Sequence, residues 1–348
     1  MGRAAAGAWH AIGKRPMRRG VGTAGLGLIA AAALIAAAAL TVCTGGGPSR
    51  LSPSPRGTVT AASATASFRA SALTPAAPPL SRAIDKIVLI VMENHSFENI
   101  VGNAQAPFIN QLATDYGLAT GYYAVAHPSL PNYLALLGGD TFGVRSDCTG
   151  CFQDAASLVD ELETAGRSWK AYMEGLPSPC ATDASTGRYA LKHDPFLYFR
   201  DIRDRSDRCS RVVPFTAFAR DLESGSLPSF AWITPDLNND MHDGTIAGGD
   251  AWLRRVVPAI LAAPAWQSGG LLLITWDEGI DNAGCCGERG GGHVATLVVA
   301  PGMRPGARTS MPTDHYGLLR AIEDVWALPP LGKSAGASGG WLTELLSP

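Results

Sequence analysis

The stretch Ile87-Val-Leu-Ile-Val-Met-Glu-Asn-His95 decides the architecture. Its first six residues form a short, continuous apolar run rich in β-branched side chains, as expected of a strand buried on both faces of a parallel sheet. Three further runs repeat the pattern: Phe230-Ala-Trp-Ile-Thr234, Leu271-Leu-Leu-Ile-Thr-Trp276 and Ala295-Thr-Leu-Val-Val-Ala300. Between and after them, helical patterns occupy residues 108–116, 131–137, 155–165, 251–262 and 316–326. Strands alternating with helices predict an α/β fold, a three-layer α/β/α sandwich around a mostly parallel central sheet. No internal repeat is visible.

In open α/β sheets, ligands gather at the carboxyl ends of the strands. Directly after the first run stand Glu93, Asn94 and His95; after the 230s run stand Asp236, Asp240, His242 and Asp243; after the 270s run stand Asp277 and Glu278. A single acid there is ordinarily a helix cap or turn former, but three clusters at one sheet edge point to a site. Glu93, Asn94, Asp277 and Glu278 are assigned as metal ligands, for one or two divalent ions. An oxygen set suits Mg²⁺, Ca²⁺ or Mn²⁺, and His242 and His293 keep Zn²⁺ open.

The most specific segment is His127-Pro-Ser-Leu-Pro-Asn-Tyr-Leu-Ala-Leu-Leu-Gly-Gly139. Pro131 fits the first turn of a helix, which places Ser129 at or just before its N-terminus. Free backbone N–H groups and the positive helix end would favour a phosphate bound at Ser129, and equally a serine alkoxide. A serine needs a base or a metal to attack at neutral pH, and the acidic strand ends supply a place for one. Asn132 is positioned to donate to a phosphoryl oxygen. Six histidines lie beyond residue 82: His95, His127, His193, His242, His293 and His315, all beside Gly, Pro, Asp or Asn and so expected in accessible loops. His193, His242 and His293 are the candidates for phosphate contact or leaving-group protonation.

The chain has 348 residues, 46% hydrophobic and 17% charged, with 40 Gly and 24 Pro, figures that exclude a disordered, collagen-like or coiled-coil protein. Residues 1–82 hold nine basic residues and no acid, which leaves residues 83–348 with 19 basic and 30 acidic ones. So acidic a domain repels nucleic-acid backbones, and no nucleic-acid partner is expected.

Five basic residues among the first twenty precede an uncharged, largely apolar run over residues 21–42. This reads as an export signal or, given its length, an N-terminal membrane anchor with its basic end inside. Arg18-Arg19 and the Leu40-Thr-Val-Cys43 box are weaker signs of a twin-arginine or lipoprotein signal. Residues 44–82 have the Pro, Ser, Thr and Ala composition of a linker, so residues 83–348 are read as the catalytic domain, exported and either released or held at the outer face of the membrane. Cys148, Cys151, Cys180, Cys209, Cys285 and Cys286 suggest up to three disulfides in an oxidising compartment, with pairing unassigned.

The segments IVLIVMENHSFENIVG, HPSLPNYLALLGG, WKAYMEGLP, KHDPFLYF, NDMHD, ITWDEG and HYGLLRAIEDVWALPPLG, in this order, resemble the bacterial phosphoesterase family of secreted acid phosphatases and phospholipase C type enzymes, within the alkaline phosphatase superfamily. The resemblance implies an alkaline-phosphatase-like fold, divalent-metal dependence and a phosphoseryl intermediate. It places Glu93 with Asn94 and Asp277 with Glu278 as metal-binding pairs, Ser129 as nucleophile and Asn132 as the phosphate-contacting amide. Two departures stand out. Asn238 and Gly244 occupy positions where relatives often carry cysteines, and Asp277-Glu278 replaces the Asp-His of two-zinc members. Ser129-Leu-Pro-Asn-Tyr133 also lacks the arginine of the sulfatase motif. The expected activity is an exported phosphomonoesterase of the acid phosphatase type. A phospholipase C-like phosphodiesterase is the alternative, and a catalytically silent surface-binding protein the third reading.

Overall fold

Apolar runs too hydrophobic for a one-sided sheet end up where both faces are covered. The computed structural model describes residues 84–182, 185–288 and 290–347. Among the described residues ten strands are formed: β1 Lys86–Met92, β2 Gly117–Ala119, β3 Tyr122–Tyr123, β4 Trp169–Met173, β5 Val212–Pro214, β6 Phe230–Thr234, β7 Gly270–Trp276, β8 Thr296–Val299, β9 Ala307–Thr309 and β10 Thr313–Asp314. Eight build one sheet in the order β5-β4-β6-β1-β7-β8-β2-β9, while β3 and β10 pair separately. Within the large sheet only β8 runs against its neighbours. The fold is therefore mixed α/β with a mostly parallel central sheet, as the sequence predicts.

Residues 87–92 of β1 and the whole of β6 and β7 are buried, in keeping with their unbroken apolar character. Successive side chains point to opposite faces, so helices must cover both sides. The Pro107–Asp115 helix packs on Ile246–Ala262, and Ser129–Gly138 packs on His315–Trp326. The expected helices all form, with shifted ends. Ile246–Ala262 begins five residues earlier than its apolar pattern, because the Thr245 side chain caps the Gly248 amide and carries the helix across Gly248 and Gly249. The short strands β2, β4, β5 and β9 and the β3–β10 pair have no long apolar run to announce them.

Strand β1 lies between β6 and β7, with strands formed later in the chain on both sides. This is a topological switch point, where loops leaving the carboxyl ends diverge and open a crevice. Register fixes its floor: Met92 pairs with Trp276, so Glu93 and Asp277 leave the sheet side by side. The Asp277 amide donates to the Met92 carbonyl, and the Glu93 amide to the Asp240 carbonyl, each at 2.9 Å. The leader and linker fall outside the described residues. Among the described residues, no helix is long and apolar enough to cross a membrane.

Candidate active site

Ser129 is the first residue of the Ser129–Gly138 helix, which ends at Gly139 in the left-handed region (φ 72°). A side chain there would collide with the Leu331 carbonyl, 2.1 Å from where its Cβ would stand. The Ser129 hydroxyl is buried within reach of two carboxylates, Glu93 Oε2 at 3.2 Å and Glu278 Oε1 at 3.1 Å. It also favours the ionised form of Asp277. The Leu130 amide in the same first turn donates to Asp147 Oδ1 at 3.1 Å, so this carboxylate already caps part of the helix start. Tyr133, one turn on from Ser129 on the same helix face, donates its hydroxyl to Glu93 Oε1.

A second group meets Glu93 from the other side. His193 Nε2 lies 3.3 Å from Glu93 Oε1 and its Nδ1 lies 3.4 Å from Asp240 Oδ2. The donor atoms of Glu93, His193 and Asp240 fall within 4.8 Å of one another, all three residues buried. Asn94, held at φ 49°, donates its amide to Asp277 Oδ1 at 3.2 Å. Among the described residues, the buried atoms Asn94 Oδ1, His193 Nε2, Asp240 Oδ2 and Asp277 Oδ2 have no hydrogen-bond partner. Unpaired buried polar atoms are costly, and four converging on one crevice fit a cation.

The electrostatics agree. Burial pushes Asp277 up to about 8, reinforced by Glu278, and Asp240 up to about 9, reinforced by Asp277. Glu93 is raised well above the usual carboxylate range by burial and by Asp277 and Asp240. Burial lowers His193, with Lys192 and His242 adding to the effect, so its ring is neutral and able to ligate. Behind the site, Tyr122 donates to His315 Nδ1 at 2.9 Å, and His315 Nε2 donates to the Asp277 carbonyl at 2.5 Å. Burial lowers His315 to about 4. This neutral relay holds the strand end that carries Asp277.

Several placements differ from the sequence expectations. His193 and His315 are buried, 3% and 0% exposed, rather than in open loops. Asn132 does not present a free amide: its Nδ2 donates to the Ala126 and Pro128 carbonyls at 2.8 and 3.3 Å, and its Oδ1 accepts from the Val125 and Ala126 amides, both at 3.0 Å. It ties down the turn that enters Ser129, through a cis His127–Pro128 peptide. His293 is stacked between Phe97 and Tyr123, with Nδ1 on Glu98 at 3.1 Å and Nε2 donating to the Thr120 carbonyl at 2.9 Å. Those bonds orient the loop instead of facing Ser129. His242 is at the site: its ring centroid is 5.5 Å from that of His193, and its Nε2 accepts from Lys192 Nζ at 3.2 Å.

Sequence reasoning passed over Tyr133, His127, Lys192 and the ligand-like placement of Asp240. The four-residue spacing of Ser129 and Tyr133 was the available signal for the first. His127 pairs through Nδ1 with Glu278 and donates from Nε2 to the Asp281 carbonyl at 2.9 Å. The cysteines pair 148–151, 180–209 and 285–286. Asn238 and Gly244 are nonetheless neighbours, since a Cβ on Gly244 would stand 1.9 Å from the Asn238 carbonyl oxygen.

In fold, the mostly parallel sheet with its covering helices is similar to proteins of the alkaline phosphatase superfamily. A protein of that superfamily from Vibrio parahaemolyticus superposes with a TM-score of 0.51 at 11% identity, over 74% of this chain and 71% of that one, a likeness of fold alone. Residues 103–329 match the phosphoesterase family, to which the chain belongs, as a hydrolase of phosphoric ester bonds. It is 36% identical over 252 residues to a phosphatidylinositol-3-phosphatase of Mycobacterium tuberculosis, covering 72% of this chain and 80% of that one. It is 32% identical over 268 residues to a probable acid phosphatase of Kluyveromyces lactis, covering 73% and 61%.

Proposed function

We propose that the chain is an exported, metal-dependent phosphomonoesterase in which Ser129 attacks phosphorus and is transiently phosphorylated. The observation that carries this reading is the Ser129 hydroxyl lodged between Glu93 and Glu278, beside buried polar atoms with no partner of their own. Glu93, Asn94, Asp277 and Glu278 would hold a divalent ion, with His193 and Asp240 extending the set from Glu93. Carboxylates and an amide suit a hard cation, and one imidazole also admits Zn²⁺ or Mn²⁺. When bound, the ion polarises the phosphoryl group and eases ionisation of the serine.

The chain's own residues do the rest. The Ser129 proton passes to a carboxylate it already touches. Its Oγ forms the bond to phosphorus as the bond to the leaving oxygen breaks in line. On the rim of the cluster Lys192 Nζ donates to His242 Nε2, and His127, whose Nδ1 pairs with Glu278, supplies the proton to the departing alkoxide. His242 Nδ1 faces Asp243 Oδ1 at 2.7 Å, which fixes the ring. Water then attacks the phosphoserine and restores the hydroxyl.

The relatives' printed names, all phosphatases, support a monoester over the phosphodiester alternative. Three disulfides support an oxidising compartment outside the cytoplasm. The test is hydrolysis of p-nitrophenyl phosphate against bis-p-nitrophenyl phosphate, before and after chelation. Faster turnover of the monoester, lost with EDTA and restored by one added divalent ion, is expected. Preference for the diester, or activity indifferent to chelation, overturns the reading.

The raised carboxyls also set a pH dependence of stability without metal. A carboxyl whose folded pKa lies above its unfolded value of ~4 keeps a proton that the unfolded chain has lost. Its contribution is therefore complete below about pH 4 and is lost as pH rises through the values of about 8 and 9 held by Asp277 and Asp240. The chelated protein should melt at a lower temperature near pH 8.5 than near pH 5.5. Divalent ions should stabilise it more at the higher pH, since binding displaces those protons. Melting curves at the two pH values check this, and a chelated protein that is more stable near pH 8.5 contradicts it.

A further inference from the structure

Next to the nucleophile lies a cleft of about 460 Å³ whose walls include His127, Thr141, Arg145, Asn282, Glu288 and Lys333. His127 joins it to the chemistry, because this ring pairs with Glu278, whose other oxygen accepts from Ser129. The far wall comes from the loop containing the Cys285–Cys286 bridge. A group bonded to a phosphoryl at Ser129 and leaving past His127 would enter this space.

Among the described residues, the charges in the cleft do not cancel. His127 is matched by Glu278. Lys333 is matched by Glu288 at 2.7 Å and lies 5.0 Å over the Tyr316 ring. Arg145 is exposed and has no ion pair, hydrogen bond or ring contact among the described residues. The nearest acid in sequence, Asp147, is already engaged by Lys192 at 2.9 Å and by the Leu130 amide. Arg145 is thus a free guanidinium on the wall of a cleft that His127 and Glu278 link to the reacting serine, in a domain with 30 acids against 19 basic residues. Its planar fork matches phosphate and carboxylate oxygens.

Resting on the phosphomonoesterase reading above, we infer that this cleft binds the leaving group and that Arg145 selects phosphomonoesters whose leaving group carries a second anionic group, phosphate or carboxylate. Arg145 is then a specificity residue for one substrate class and plays no part in phosphoryl transfer itself.

The test compares full-length wild type, Arg145→Met and Arg145→Lys on p-nitrophenyl phosphate, glucose 6-phosphate, glucose 1,6-bisphosphate and 6-phosphogluconate. Arg145→Met should lower kcat/KM roughly 10- to 100-fold on the last two, as expected for loss of a charge-assisted hydrogen bond. Most of the change should be in KM, and the first two substrates should stay within about twofold. Arg145→Lys should recover part of the loss, because it restores the charge without the fork. Loss on the bisphosphate alone would identify phosphate as the recognised group, and loss on both would make it any anion. Equal effects on all four substrates, or none, overturn the assignment of the cleft. A wild type inactive on every monoester overturns instead the phosphomonoesterase reading beneath it.

Discussion

Ser129→Ala is expected to lower turnover of p-nitrophenyl phosphate roughly 1,000-fold or more while leaving the protein folded. Loss of a nucleophile removes the covalent route altogether, so the residual rate is that of binding and electrostatics alone. The structural cost should be small. The hydroxyl's hydrogen bonds run to neighbouring carboxylates, Glu93 and Glu278 with Asp277 beside them, and the helix start retains the Asp147 contact to the Leu130 amide. The melting temperature should thus stay within about 3 °C of wild type, a shift of around 1 kcal/mol for a domain of this size. A Ser129→Ala protein of nearly normal activity would remove this residue from the mechanism.

Asp277→Asn should have a smaller but still large effect on activity and the opposite sign on stability. It removes one charge from the proposed cation site, and kcat/KM should fall by roughly 100-fold or more at moderate metal concentration. In the chelated protein, however, Asp277 is a buried carboxyl held at about 8 by burial and by Glu278. An amide of the same shape carries no charge to desolvate, so chelated Asp277→Asn should melt above chelated wild type near pH 8.5, by roughly 2–4 °C per kcal/mol gained. Added divalent metal should reverse that order. A variant less stable than wild type with and without metal would show Asp277 to be a structural residue held by Asn94 and His315, with no ligand role.

The frame of the site was legible because it rests on patterns local in sequence. The runs at β1, β6 and β7 are continuous and apolar, and acids follow each within two residues. Parallel neighbours in register then bring Glu93 and Asp277 together. Ser129 was legible from Pro131 for the same reason. Less could be read where the outcome depends on contacts between distant segments. His193 resembles a loop histidine in Lys-His-Asp-Pro, yet its segment folds under the sheet edge and seats it between Glu93 and Asp240. His315 opens a helix and is sealed by Tyr122, which is 193 residues away. Asn132 is the instructive case. An amide directly after Pro131 and three residues beyond Ser129 invites a role in phosphate binding, but four backbone groups in residues 125–128 claim it first. The edge strands β5 and β9 have three residues each, and pairing with neighbours determines them more than composition does.

Trapping the covalent intermediate tests the central claim most directly. Wild-type protein turning over a phosphomonoester would be quenched in acid, digested and analysed by mass spectrometry for phosphopeptides, with Ser129→Ala treated in parallel. The account predicts phosphate on the peptide containing Ser129, formed within a turnover, absent without substrate and absent in the variant. Steady turnover with an unmodified Ser129 peptide, or phosphate on His242 instead, would contradict it.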